Sequence, residues 1–273
     1  MFDRLDDFIY NSPPWLSSSI FVLAGIIGSG VMLFAATWLV RHDARHSHNE
    51  FTMFTVTNGA VFYAVLLAFI AIAAWEGLEK AAASVENEAS LVQSLYLDAQ
   101  SLHDKTVVNT LEAELHHYVA TVIHREWPEQ QAGHASEAAR PDLHKIRSTL
   151  AGFEPKTTGD AVVMQEMLRG LNELFTAYHA RRDAAEGHIP SSIWGAICSL
   201  GLLTVGFTTF LRMRSLGMHF FLVAGFTTTI VIVVSLIAQL DYPFRGEISV
   251  SSEPFEHALS ELDEPAAAEA SSR

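Results

Sequence analysis

The apolar positions of this chain gather in four unbroken blocks, Ile20–Val40, Phe51–Trp75, Ser191–Leu211 and Leu216–Leu240. The first three contain no Asp, Glu, Lys, Arg or His, and the fourth contains only His219, near its start. Each block is at least 21 residues long, and about 20 apolar residues in a helix cross a hydrocarbon core ~30 Å thick. The pattern predicts an all-α membrane protein with four transmembrane helices in two pairs.

Between the second and third blocks the period changes. Leu78, Ala82, Val85, Ala89, Val92, Tyr96 and Ala99 recur at alternating steps of four and three, a seven-residue repeat that gives a helix an apolar seam. No proline interrupts Phe51 to His103, so the second span is expected to leave the membrane as one helix of about 50 residues, ~75 Å long. A second helix is predicted over about 106–127, striped by Val108, Leu111, Leu115, Tyr118, Val119 and Val122 and ended by Trp127-Pro128. A third runs over about 136–151 through Leu143, Ile146 and Leu150, and a fourth over about 159–187, with Thr158 as N-cap. Val162, Met167, Leu171, Leu174, Phe175 and Tyr178 stripe the fourth. The resulting division is an acidic N-terminal tail (1–19), spans one and two (20–75), an extramembrane antiparallel helical bundle (76–190), spans three and four (191–240) and an acidic tail (241–273) expected to be disordered at its end.

Composition agrees: 49% of the 273 residues are apolar and 18% charged, with a mean hydropathy of +0.21. The net charge of −14 excludes nucleic acid as a partner, which needs a basic face, and excludes attraction to an anionic lipid surface. The start MFDRLDDFIY lacks the basic segment of a signal peptide, so the first block is expected to remain as a span. The loops 41–50 and 212–215 each carry two arginines. They lie on one side of the membrane, and the positive-inside rule makes that side cytoplasmic. The bundle is then periplasmic, in a bacterial inner membrane. Trp15, Trp38, Trp75, Trp194 and Tyr242 fall near span ends, where amphipathic rings prefer the interface. Gly25, Gly28 and Gly30 in the first span permit close helix approach, within the protomer or between subunits.

Candidate chemistry is sparse. Cys198 is the single cysteine and lies inside an apolar block, which leaves no disulfide framework or thiolate metal cluster. His42 and His46, four apart in HDARHSH, are weak metal candidates because that spacing puts both on one helix face; HDxxH resembles the first histidine box of membrane desaturases, but no further box lies on the same side. His116, His117 and His124 read as surface histidines of the bundle. No Ser-His-Asp order, CxxC, HExxH, P-loop or GxGxxG supports an enzyme, and no cofactor is implied. Absent intramembrane charge argues against proton-coupled pumps. Asn58 is the most costly polar residue within a span and must face another helix or water. With Phe54, Phe62 and Phe69 as hydrophobic constrictions it is a candidate pore lining, in an oligomer, for small anions. Glu76, Glu79, Asp241 and Arg245, at the outer edges of spans two and four, are candidates for an outer vestibule. A local turn or ion pair at the span exit is the other reading of Asp241 and Arg245.

Asn49-Glu50, Tyr63-Ala-Val-Leu-Leu-Ala-Phe69, Trp75-Glu76, Glu88-Ala89, Trp127-Pro128, Thr204-Val-Gly-Phe207, Asp241-Tyr-Pro-Phe-Arg-Gly246 and Phe255-Glu256 together resemble the bestrophin-like domain family of bacterial membrane proteins, over about 49–256. The resemblance implies two pairs of spans around a helical outer domain. That family is described as a domain of unknown function, named for a distant similarity to bestrophins, which are pentameric anion channels with an aromatic and aliphatic neck and calcium-binding acidic clusters. The resemblance therefore implies a neck for Phe54, Phe62 and Phe69, whereas no compact Asp/Glu cluster of calcium-ligand spacing accompanies them. Two functions are expected on these grounds: an oligomeric, anion-permeable channel lined by the second span, or a non-conducting membrane protein whose periplasmic bundle senses a ligand or binds a partner.

Overall fold

The structure is a computed structural model that describes residues 13–39, 46–187, 189–211, 213 and 215–271. Among these it is helical, with no strand. The helices are α1 (Pro14–Leu39), α2 (His46–Gln100), α3 (Lys105–Thr121), a π-helical turn (Val122–Glu126), α4 (Trp127–Gln131), α5 (Arg140–Gly152), α6 (Thr158–Ala184), α7 (Ser191–Thr209), α8 (Leu216–Asp241) and α9 (Glu253–Ser271). Four of them, α1, α2, α7 and α8, are long and apolar enough to cross a membrane. Two compact units share the chain, one holding α1, α2 to Glu76, α7 and α8, the other α2 from Gly77, α3 to α6 and α9.

In the spanning unit small residues set the helix contacts. A Cβ on Gly25 would lie 3.0 Å from Val231 Cγ2 of α8, and one on Gly30 would lie 3.0 Å from the Phe220 ring. Gly201 of α7 admits the Tyr63 hydroxyl of α2, which a Cβ there would meet at 2.7 Å. This is the small-residue packing expected of the first span, here within the protomer. Tyr63, Leu67, Ile70 and Ala74, at steps of four, three and four, form the buried face of α2. Threonines and serines satisfy their hydroxyls on the preceding turn, as Thr227 does on Val223 O (2.8 Å) and Thr204 on Leu200 O (2.7 Å).

The second unit is a helical bundle with one apolar core. Val85, Ala89, Val92, Tyr96 and Ala99 of the seven-residue seam are buried, joined by Ala81 and Leu95, while the seam's first members, Leu78 and Ala82, are only half-buried. The stripes of α3 and α5 are buried as their spacing predicts. On α6 the stripe begins later, for Val162 is 64% exposed.

Three features differ from expectation. Trp127-Pro128 does not end the second bundle helix; the chain passes through the π turn into α4, where Pro128 occupies a first-turn position that needs no backbone donor. The N-cap of α6 is Thr157, not Thr158, in a capping box with Asp160: Asp160 N donates to Thr157 Oγ1 (3.0 Å) and Thr157 N to Asp160 Oδ2 (3.2 Å). The acidic tail forms the helix α9, since Phe255, Ala258 and Leu262, at steps of three and four, bury in the bundle core.

Candidate functional site

Opposite its buried face, α2 carries a second stripe. Phe54, Asn58, Phe62, Val65, Phe69 and Ile72, at steps of four, four, three, four and three, all lie on the outside of the protomer. Phe62 is 77% exposed, and Phe54 and Phe69 are each 69% exposed. A helix in the core of its own protomer would hide such rings, so this face is built for contact with lipid, a second copy or a pore. The helix itself lowers the cost of Asn58 there: its Nδ2 donates to Phe54 O at 2.8 Å, one turn back, and Thr55 and Thr57 donate to Phe51 O and Met53 O. The stripe is thus aromatic, uncharged and largely self-satisfied.

The four outer-edge residues separate into two kinds. Glu76 and Glu79 are exposed on α2. Asp241 is 4% exposed and Arg245 6%. Asp241, the last residue of α8, accepts the Ile189 backbone N–H (2.8 Å) and the Trp194 indole Nε1–H (3.1 Å), tying the start of α7 to the end of α8. Arg245 belongs to the bundle unit, where it packs over Gly133, whose φ of +82° and absent Cβ make room for the guanidinium, and over the Tyr242 ring at 5.7 Å.

His42 and the side chain of His46 lie outside the described residues. Among the described residues no group of three His, Cys, Asp or Glu is placed to hold a metal. On α3 the neighbouring His116 and His117 diverge, one to Asp263 (3.1 Å) and the other toward Asp142 (3.6 Å).

A cluster of charge in the bundle core escapes the sequence pattern. Arg181 of α6 has no solvent exposure and donates to Glu88 of α2 through Nε and Nη2 (2.8 and 3.1 Å) and to Glu126 of the π turn through Nη2 (2.8 Å). Tyr118 donates to Glu88 Oε1 at 2.5 Å, and Glu126 Oε1 accepts the Ala139 N–H at the start of α5 (2.8 Å). The rings of Tyr178 and Phe255 lie over the guanidinium at 5.6 and 5.5 Å. The two carboxylates hold Arg181 firmly protonated against its burial, and burial with the Glu88 charge pushes the Tyr118 hydroxyl well above the usual tyrosine range. The available signal was register: Glu88 falls three residues after Val85 on the seam, and Arg181 three after Tyr178. A charge on a core register needs a buried partner.

A second polar cluster joins two bundle ends. His103 donates its backbone N–H to Asp160 Oδ1 (3.2 Å), and its Nδ1 lies 2.9 Å from the same oxygen. The His103 contact and the capping bonds of Thr157 hold the Asp160 carboxyl down at about 2.

Comparison with known proteins agrees with this architecture. The model of the Bestrophin-like domain matches residues 22–255. Among solved structures, a variant of a bacterial bestrophin homologue from Klebsiella pneumoniae superposes with a TM-score of 0.70 at 12% identity, covering 91% of this chain and 98% of its own. Another variant of that homologue gives 0.68 at 14% identity, covering 90% and 99%, and a structure described as a membrane protein gives 0.70 at 12%, covering 91% and 98%. No curated protein sequence matches the chain.

Proposed function

Because the chain belongs to the bestrophin-like domain family, we propose that it assembles into an oligomeric ion channel of the bacterial inner membrane, permeable to small anions and lined by α2. The observation that carries this reading is the outward stripe of Phe54, Asn58, Phe62 and Phe69. Four helices of one protomer leave little room for a conduit, so a pore needs several copies of one helix face around an axis. Phenylalanine rings at successive turns make hydrophobic constrictions that gate by dewetting. The absence of a carboxylate on this stripe removes the acidic ring that cation channels use. Glu76 and Glu79, exposed where α2 ends its span, flank the mouth; Asp241 and Arg245, being buried, brace the adjoining turns. The arginine-bearing loops 41–50 and 212–215 face the cytoplasm and the bundle faces the periplasm.

The test is anion flux into liposomes containing the purified oligomer. Phe62→Ala is expected to raise flux several-fold and Asn58→Ala to change it, with the oligomer intact. Well-folded oligomers that pass no anion across a range of pH and calcium would overturn the proposal. Reporter fusions after His46 and at Ala135 test orientation: activity of a periplasm-only reporter at His46 reverses it.

A further inference from the structure

The four spans line a half-open cavity of about 480 Å³. Residues of α1, α2, α7 and α8 line it, among them Gly28, Tyr63, Ile197, Cys198, Gly201 and Val231. Folded interiors hold few voids larger than a water molecule, and this one falls in the 300–1,000 Å³ range of small-molecule sites.

The void is not a by-product of close helix contact. Glycine is needed at Gly25 and Gly201 because a neighbouring side chain already occupies the Cβ position, but a Cβ on Gly28 would have nothing within 4 Å. Gly28 is itself exposed and stands at the open side of the cavity.

Water is a poor occupant. The wall is almost wholly apolar, and three of its polar groups are engaged elsewhere: Ser29 donates to Ile26 O (3.0 Å), Thr227 to Val223 O (2.8 Å) and the Trp194 indole to Asp241 (3.1 Å). A buried water needs two to four polar partners, and an apolar void of only ~150 Å³ already stays dry and takes benzene instead. A helix of a second copy, about 10 Å across with its side chains, is too bulky for this volume over more than a turn. A flexible hydrocarbon tail is not. The cavity also lies among the spans, in the hydrocarbon layer, where lipid tails are the surrounding medium.

We infer that this cavity is a binding site for the acyl chain of a bilayer phospholipid, one per protomer. Gly28 keeps it open, and Tyr63, seated against Gly201, forms its wall toward α2. The site is independent of whether the protein conducts.

Two experiments test it. In the first, phospholipid retained per protomer is counted by native mass spectrometry after exhaustive detergent washing. The wild type is expected to keep about one, and Gly28→Leu, which fills the open space, to lower occupancy about tenfold with the oligomer unchanged. Equal retention in the two proteins overturns the site, and so does dissociation of the Gly28→Leu oligomer without lipid loss, which would make a second copy the occupant. The second needs no variant. In delipidated wild type, Cys198 is alkylated by N-ethylmaleimide, and dioleoylphosphatidylcholine is expected to slow that reaction about tenfold where dihexanoylphosphatidylcholine does not. An unchanged rate, or equal protection by both lipids, overturns the inference.

Discussion

The Arg181 guanidinium meets the Glu88 carboxylate through two hydrogen bonds, Nε to Oε2 at 2.8 Å and Nη2 to Oε1 at 3.1 Å, with neither side chain reached by solvent. The pair joins residues 93 positions apart, on α2 and α6. Removing one member strands the other in a dry core, which costs about 3–5 kcal/mol, whereas exchanging a whole buried ion cluster for apolar groups can be close to neutral. Arg181→Met should therefore lower the thermal midpoint sharply. The triple variant Arg181→Met, Glu88→Leu, Glu126→Leu should recover much of it. Thermal unfolding of the purified protein checks both, and equal midpoints for the single and triple variants would contradict the account.

Phe255 reaches from α9 into the same core. Truncating a buried phenylalanine to alanine costs about 3–5 kcal/mol, and here the ring also covers Arg181. Phe255→Ala should destabilise the bundle and free α9, read as faster amide exchange over 253–263 and a lower midpoint. Exchange unchanged in that segment would show α9 held by other contacts.

The Tyr63 hydroxyl and Gly201 are a matched pair. Gly201→Ala places a Cβ 2.7 Å from the hydroxyl, and overpacking of this kind costs typically 1–3 kcal/mol. Tyr63→Phe removes the obstructing oxygen, so the double variant should be more stable than Gly201→Ala alone. Additive effects in a double-mutant cycle would mean that the two helices do not meet there.

Asp160 supplies the acid limb. Its carboxyl ionises at about 2 in the folded chain against 3.8 ordinarily. A carboxyl with a depressed folded value binds more protons when unfolded, so the stability it contributes is present in full above 3.8 and declines as pH falls toward 2. Asp160→Asn should melt earlier than wild type at pH 6, and the gap should close between pH 4 and pH 2. A gap independent of pH would assign its effect to shape rather than charge. Thr157→Ala, which removes the side-chain half of the cap, should cost about 1 kcal/mol near neutral pH and less once the Asp160 carboxyl is protonated, because the Thr157 hydroxyl helps to hold that carboxyl down.

Much of the architecture was legible because each signal was a period carried over many turns. The spans were visible as charge-free blocks, and the stripes of α3 and α5 held residue for residue. Boundaries that depend on one hydrogen bond were not: Thr157 and Thr158 are equally good caps by type, and only Asp160, three residues after Thr157, decides between them. Trp127-Pro128 looked terminal because proline breaks helix interiors, yet proline at a first turn is harmless. The acidic composition of 253–273 hid the spacing of Phe255, Ala258 and Leu262. At the candidate pore, sequence singled out Phe54, Asn58, Phe62 and Phe69 by residue type, and the structure puts them on one outward face. For Asp241 and Arg245 the sequence left a vestibule and a local turn both open, and their burial agrees with the turn; a charge at a span edge reads the same whether it meets water or an indole N–H.

The π turn at Val122–Glu126 makes this bundle sensitive to length as well as to chemistry. Such a turn holds one residue more than the α-helical ladder accommodates, and here it places Glu126 where it can reach both Arg181 and the N-terminus of α5. Deleting one residue from the turn would restore an uninterrupted α-helix while turning every later side chain of that segment by about 100°. A variant that improves local helical regularity would then carry Glu126 and Trp127 away from their partners. A chain that lacked this single position would have to solve the burial of Arg181 in another way.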